Sequence, residues 1–98
     1  MLFGWFNAKE AQQFGAEQAQ FFIAKMPLDT QRKDKKVAQK TQAALDTIAL
    51  RVQQFQRSHP LNIYTRAKLA TTFKWTLKDA GYDAAYVEQL TEWLVKRL

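Results

Sequence analysis

One stretch of this chain has the spacing of a helix that packs lengthwise against another helix. Its positions step by four, three, four and three residues: Thr41, Leu45, Ile48, Val52 and Phe55. Residues three and four apart lie on one side of an α-helix, so this spacing predicts a seam. The seam lasts only about two heptads, which is short for an independent coiled coil. We therefore expect it to pack inside the chain's own helical bundle.

Few residues interrupt the helical pattern elsewhere. The sequence has three glycines and two prolines, and Pro27 and Pro60 both fall between periodic segments. Proline ends helices and pushes the preceding residue out of helical geometry. We find no strand-like alternation of apolar and polar residues. The sequence predicts an all-α fold, a small antiparallel bundle of about four helices over residues 7–26, 30–58, 62–80 and 83–97.

Polar residues at the expected helix starts support these limits. Asn7 suits the N-cap of the first helix, because Glu10 lies three residues on and Phe6 can pack at the entry. Three starts remain open for the second helix: Asp29, Thr30 and Asp34. The later helices are expected to start at Asn62 and Asp83, with Gly81 just past the end of the third.

The length and composition limit the chain to one core. Its 98 residues, 47% of them apolar, suffice for a single domain over residues 1–98 and are too few for two. The absence of cysteine excludes disulfides and thiolate metal sites. The first residues lack the pattern of a secretory signal, and no stretch reaches 18 apolar residues. We therefore expect a cytoplasmic protein without stable membrane insertion.

Residue types that carry catalysis are sparse. A hydrolytic triad needs a nucleophile, a base and an orienting group, and the sequence offers one imidazole, His59. At the expected end of a helix, a cationic ring complements the negative helix terminus, so we interpret His59 as structural. Glu88 and Glu92 share a helical face, which we interpret as solvated. The three glycines form no phosphate loop. We expect no enzymatic activity, no cofactor and no metal site.

Positive charge is concentrated near the start of the second predicted helix. Fifteen Lys and Arg residues against nine Asp and Glu give a net charge of +6. Cations at a helix start oppose the helix dipole, and an anionic ligand would explain them, whereas a solvated loop is the simpler alternative. The candidate contacts for an anion or a nucleic acid are Arg32, Lys33, Lys35, Lys36, Lys40 and Arg51.

The first six residues form an aromatic segment. Phe3, Trp5 and Phe6 would make a sticky patch if they were left in water. We expect them to pack onto the helices or to mediate self-association in a homodimer. Attachment to a membrane surface is the alternative, which the lack of neighbouring lysines weakens, since Lys9 is the first.

The third and fourth predicted helices superficially suit a DNA-binding helix-turn-helix. The fourth helix carries more acidic than basic residues, which argues against its approach to phosphates. On the third helix, Arg66, Lys74 and Lys78 fall within about 120° of one another, a weak basic stripe from which Lys68 is expected to point away.

Taken together, the sequence favours a non-catalytic interaction module that binds a protein partner or a second copy of itself. The alternative hypothesis is a nucleic-acid-binding accessory domain that uses the basic segment 32–40. Peripheral membrane attachment through the first six residues is a third hypothesis.

Overall fold

Four α-helices make up the described part of the chain. The structure, a computed structural model, describes residues 2–26 and 35–98, with side chains from residue 8 onward. The helices are α1 (Leu2–Lys25), α2 (Lys35–Ser58), α3 (Ile63–Asp79) and α4 (Ala84–Val95). No strand occurs in these residues. The predicted all-α bundle of four helices is confirmed.

The first helix begins earlier than the sequence indicated. It starts at Leu2, so Asn7 lies inside α1, and the prediction that Asn7 is the N-cap was wrong. An N-capping residue marks the start of a helix only where the residues before it disfavour helical structure. Gly4 is the one poor helix former ahead of Asn7, and its cost of about 1 kcal/mol does not stop a helix. The three candidate caps at residues 29, 30 and 34 lie outside the described residues.

The predicted caps of the later helices are confirmed. The Asn62 side chain accepts a hydrogen bond from the Thr65 N–H at 2.8 Å, and the Thr65 hydroxyl accepts from the Asn62 N–H at 2.9 Å. This reciprocal capping box satisfies two backbone donors. Asp83 accepts from the N–H of Tyr86 at 3.2 Å. Gly81 has a φ of 99°, a conformation that favours glycine.

The central packing pair is α1 and α3, two helices that are not neighbours in the sequence. They run parallel: Gly15 meets Leu69, and further along Tyr82, just beyond α3, reaches Met26. A Cβ atom placed on Gly15 would lie 2.4 Å from the Leu69 carbonyl oxygen. Ala11 and Ala19, one turn to either side, are fully buried. Small residues along this side of α1 let the two backbones approach closely.

The other two helices run antiparallel to this pair and complete the bundle. On α2, Phe55 stacks on Phe14 of α1 with ring centroids 4.2 Å apart. On α4, Glu88 pairs with Lys74 of α3 at 3.3 Å. The Gln56 side chain of α2 donates to the carbonyl oxygen of Leu98, after α4, at 3.0 Å. The helices therefore surround the core in the order α1, α3, α4, α2.

All four helices contribute to one core. The α2 seam was predicted correctly at Ile48 and Val52, which are fully buried, whereas Leu45 and Phe55 are half-buried. Ala44 takes the third buried position of α2, so the buried line follows steps of four. The largest fully buried apolar side chains are Phe22, Phe73, Met26, Ile48, Leu69, Leu77, Leu94, Val52 and Val87.

Changing Gly15 to alanine tests the close approach of α1 and α3. In an exposed helix this change stabilises by about 0.5–1 kcal/mol, but here the new Cβ meets backbone that cannot move without separating the helices. We expect Gly15→Ala to lower the free energy of unfolding by about 1–3 kcal/mol in urea titrations. The reverse change at exposed Ala24 (Ala24→Gly) measures the helix propensity alone. An increase in stability on Gly15→Ala would contradict this packing.

A tyrosine after α3 ties the bundle to the end of α1. The Tyr82 hydroxyl donates to the Met26 carbonyl oxygen, and its ring lies 6.1 Å from Phe22 and 6.2 Å from Tyr86. Burial raises the pKa of Tyr82, and the nearby Tyr86 raises it further. Burial also raises the pKa of Tyr86, although a hydrogen bond with Thr41 partly offsets this.

The raised tyrosine pKa values predict a loss of stability in alkali. Their contribution is complete below the pKa of an unfolded tyrosine, about 10, and is lost as the pH rises through the folded-state values. Tyr82→Phe removes one of these groups and the hydrogen bond to Met26, so at pH 8 we expect a loss of about 1 kcal/mol. In urea titrations, the difference from the native chain should narrow as the pH rises above about 10.

Candidate binding surface

An open groove lies between α1 and α2. It consists of two neighbouring hollows of about 560 and 580 Å³. The first is lined by Phe14, Glu17, Gln18, Arg51, Gln54, Phe55 and Ser58. The second is lined by Phe21, Ala24, Lys25, Lys40, Ala43, Ala44 and Thr47. We call these residues together the α1/α2 groove.

Three cations line this groove, and two of them lie over the same aromatic ring. The Arg51 guanidinium lies 4.3 Å from the Phe21 ring centroid, and the Lys25 ammonium lies 5.7 Å from it. Lys40 lines the same hollow as Phe21. Both ion pairs found among the described residues, His59–Glu10 and Lys74–Glu88, involve other cations. Acidic groups of a partner could therefore approach these three charges without displacing a described ion pair.

The first hollow has a buried polar floor. Gln18 is only 3% exposed, and its Oε1 atom has no hydrogen-bond donor among the described residues. Leaving such an acceptor unsatisfied costs about 1–3 kcal/mol. Glu17 and Arg51 line the same hollow but are not paired with each other. This oxygen exposes less than 1 Å², so a ligand in the hollow does not reach it in this conformation.

The structure brings together two of the six basic residues that the sequence singled out. Lys40 and Arg51 both line the groove, about three helical turns apart on α2. Lys35 and Lys36 are exposed in the first turn of α2. Arg32 and Lys33 lie outside the described residues.

Sequence reasoning missed the part of the groove that α1 supplies. Phe21 and Lys25 stand one turn apart, which is a recognisable helical signal for a cation over a ring. Treating the basic residues as one continuous segment hid this contribution. The geometry instead distributes the charge across two helices.

The aromatic start is described only by its backbone. Residues 2–6 continue α1, and the side chains of Phe3, Trp5 and Phe6 lie outside the described set. Their role in self-association stays a prediction. Among the described helices, none has the length and apolar character that a membrane span requires. Within the same residues, no group of three or more acidic or histidine side chains converges as a metal site would.

At the end of the groove, His59 joins α2 to α1. Its ring stacks on Phe55 at 4.4 Å, and Phe55 stacks in turn on Phe14. The His59 Nε2 atom lies 3.2 Å from the Glu10 carboxylate, and Nδ1 lies 3.1 Å from the Ser58 hydroxyl. A carboxylate only accepts, so Nε2 must carry the proton. No local pattern in the sequence indicates that Glu10 reaches His59.

This line of serine, histidine and glutamate lacks the surroundings of a hydrolytic triad. A serine nucleophile needs backbone N–H groups that stabilise the oxyanion. Ser58 lies in the last turn of α2, where the free backbone groups are carbonyl oxygens and the helix dipole is negative. The N–H of His59 is already bonded to the Phe55 carbonyl at 2.8 Å. The contacts fit a clamp between two helices.

Two substitutions at His59 separate stacking from charge in this clamp. His59→Ala removes both, and we expect a loss of about 1 kcal/mol in the free energy of unfolding. His59→Phe keeps the stack on Phe55 and should lose less than half as much, because the exposed ion pair with Glu10 contributes little. Equal losses in urea titrations of the two variants would show that the ion pair, and not the ring stack, holds the helices.

Comparison with known proteins adds no family to this description. No family model, curated protein sequence or solved structure matches the chain significantly.

Proposed function

We propose that this chain is a non-catalytic interaction module whose α1/α2 groove binds an acidic helical segment of a protein partner. The observation that carries the proposal is the pair of cations over the Phe21 ring, Lys25 and Arg51. Lys40 adds a third cation to the hollow that Phe21 lines. Cations beside an exposed apolar strip favour a ligand with both acidic and apolar side chains. An amphipathic acidic helix has this character.

The floor of the groove is apolar between the cations. Ala24, Ala43 and Ala44 leave room above the backbone in the second hollow, next to the half-buried ring of Phe21. Apolar anchors of a helical ligand, three or four residues apart, suit such a floor. Their burial would supply affinity, and the cations at the rim would mainly select the partner and speed association.

The length of the groove suits a short helix. Its lining on α1 runs from Phe14 to Lys25, which corresponds to about 17 Å along the axis. A helical ligand of about three turns would cover this distance.

Nucleic-acid binding is the second candidate function, and the start of α2 favours it. Lys35, Lys36 and Lys40 are all exposed within the first two turns of the helix. Such a cluster suits phosphate groups, and the net charge of +6 adds long-range attraction. The apolar floor next to Lys40 gives a phosphate backbone nothing to contact, so we rank this function second.

Charge reversal in the groove tests the proposal. The double variant Lys40→Glu/Arg51→Glu should weaken binding of a labelled acidic amphipathic peptide by at least roughly tenfold in fluorescence anisotropy titrations. The control Lys9→Glu/Arg66→Glu makes the same change in net charge at exposed positions outside the groove and should bind within about twofold of the native chain.

A labelled 20-nucleotide strand in the same titrations separates the two functions. Tight binding of the strand would identify a polyanion ligand if the association constant falls with at least about the third power of the salt concentration. Binding of the peptide that is equal in both double variants would overturn the groove as the site. Binding of neither probe by the native chain would remove both candidate functions.

A further inference from the structure

The outer side of α3 carries a regular row of aromatic and lysine side chains. The row steps by four, three, four and three residues: Tyr64, Lys68, Thr71, Trp75 and Lys78. At 100° per residue these positions fall within about 80° of one another. The buried residues of α3, such as Leu69 and Phe73, lie on the opposite side. We call this row the α3 stripe.

The stripe corrects the expectation for the basic residues of α3. Lys68 was expected to point away from Lys78, but both stand on the stripe, each over an aromatic ring. The Lys68 ammonium lies 5.5 Å from the Tyr64 centroid, and the Lys78 ammonium lies 5.0 Å from that of Trp75. Lys74 instead pairs with Glu88 on α4.

The rings of the stripe are open to solvent. Tyr64 is 43% exposed and Trp75 is 53% exposed, although Trp75 is among the largest apolar side chains of the chain. Thr71, which lies between them on the stripe, is also exposed. The stripe therefore combines the spacing of a helix-packing seam with apolar area that the bundle itself does not cover.

The stripe is complementary to a second copy of itself that runs in the opposite direction. Tyr64 and Lys78 each stand seven positions from Thr71, and Lys68 and Trp75 stand three and four positions from it. If a second copy packs antiparallel with Thr71 opposite Thr71, Tyr64 faces the partner's Lys78, and Lys68 faces the partner's Trp75. Each lysine then meets an aromatic ring of the other chain.

We propose that two copies of this chain pair antiparallel through the α3 stripe, about a two-fold axis at Thr71. In this pairing each ring turns its solvent-exposed area to a lysine of the other copy, and the small side chain of Thr71 lets the helices meet at the centre. Asp79 lies on the same side of α3 as Lys68. In the pair, Asp79 of one copy and Lys68 of the other lie within about 7 Å of each other along the helix axis. This distance is short enough for Asp79 to reduce the repulsion between the lysines.

The contact area sets the strength of the pairing. One pair of 17-residue helices buries less than the roughly 1,200 Å² of a stable complex. We therefore expect a weak, reversible dimer with a Kd on the order of 100 µM. Because lysines of both copies gather in the contact, salt should strengthen the dimer by screening them.

The same features disfavour a nucleic acid on the stripe. Base stacking requires open ring faces, whereas a lysine already covers one face of Tyr64 and of Trp75. The two lysines are about 15 Å apart along the helix, which provides few contacts for a phosphate backbone. The stripe faces away from α1, so the pairing neither needs nor blocks the groove, and it does not rest on the proposed function.

Cysteine substitution tests the two-fold axis directly, because the native chain has no cysteine. Thr71→Cys places two thiols opposite each other, at a separation that a disulfide can bridge. Under mild oxidation we expect the full-length variant to form a disulfide-linked dimer at least roughly tenfold faster than Gln53→Cys, which is also an exposed position, on α2. Equal rates for the two variants would overturn the proposal.

Sedimentation equilibrium of the full chain, up to about 1 mM, provides the second test. Thr71→Lys adds two further cations to a contact that already gathers lysines and sets them face to face, so it should raise the dimer Kd at least roughly tenfold, whereas Gln53→Lys should leave it unchanged. A dimer that survives Thr71→Lys would place self-association elsewhere, for example at the aromatic start. A native chain that stays monomeric would also overturn the proposal. The same holds if a single-stranded oligonucleotide quenches the fluorescence of Trp75 and self-association does not.

Discussion

The bundle depends on the close contact between the backbones of α1 and α3. Gly15 sits so near the Leu69 carbonyl that no side chain fits between them, and buried Ala11 and Ala19 extend the contact by a turn on either side. With these helices in place, Phe22, Phe73 and Leu77 form an apolar surface that α2 and α4 can cover. Tyr82 fastens the same pair at the far end through the Met26 carbonyl.

Features that depend on a few neighbouring residues could be predicted from the sequence. The caps at Asn62 and Asp83 and the positive φ of Gly81 follow from local hydrogen bonds and backbone sterics. The start of α1 could not be predicted, because Asn7 is acceptable both as a cap and inside a helix. The choice of α3 as the partner of α1 joins residues more than fifty positions apart, and no local pattern encodes that choice.

The candidate surfaces, too, could be predicted from the sequence only in part. Lys40 and Arg51 were recognised by their charge. The ring of Phe21, which lies under Arg51 and lines one hollow with Lys40, belongs to another helix, so grouping these residues required the fold. The α3 stripe was within reach of the sequence, since its spacing is regular. It was missed because cations alone were placed on the helical wheel, without Tyr64 and Trp75. Aromatic and basic residues on one helix are best read together.

The parallel pairing of α1 with α3 also bears on how the chain folds. Contacts between distant residues form only after a long loop has closed, so the stabilising Gly15–Leu69 contact cannot help an α1–α2 hairpin that forms first. During synthesis, α1 waits for more than fifty further residues with Phe22 and Met26 uncovered on its α3 side. The nascent chain therefore passes through a stage at which its own core surface is open to other chains.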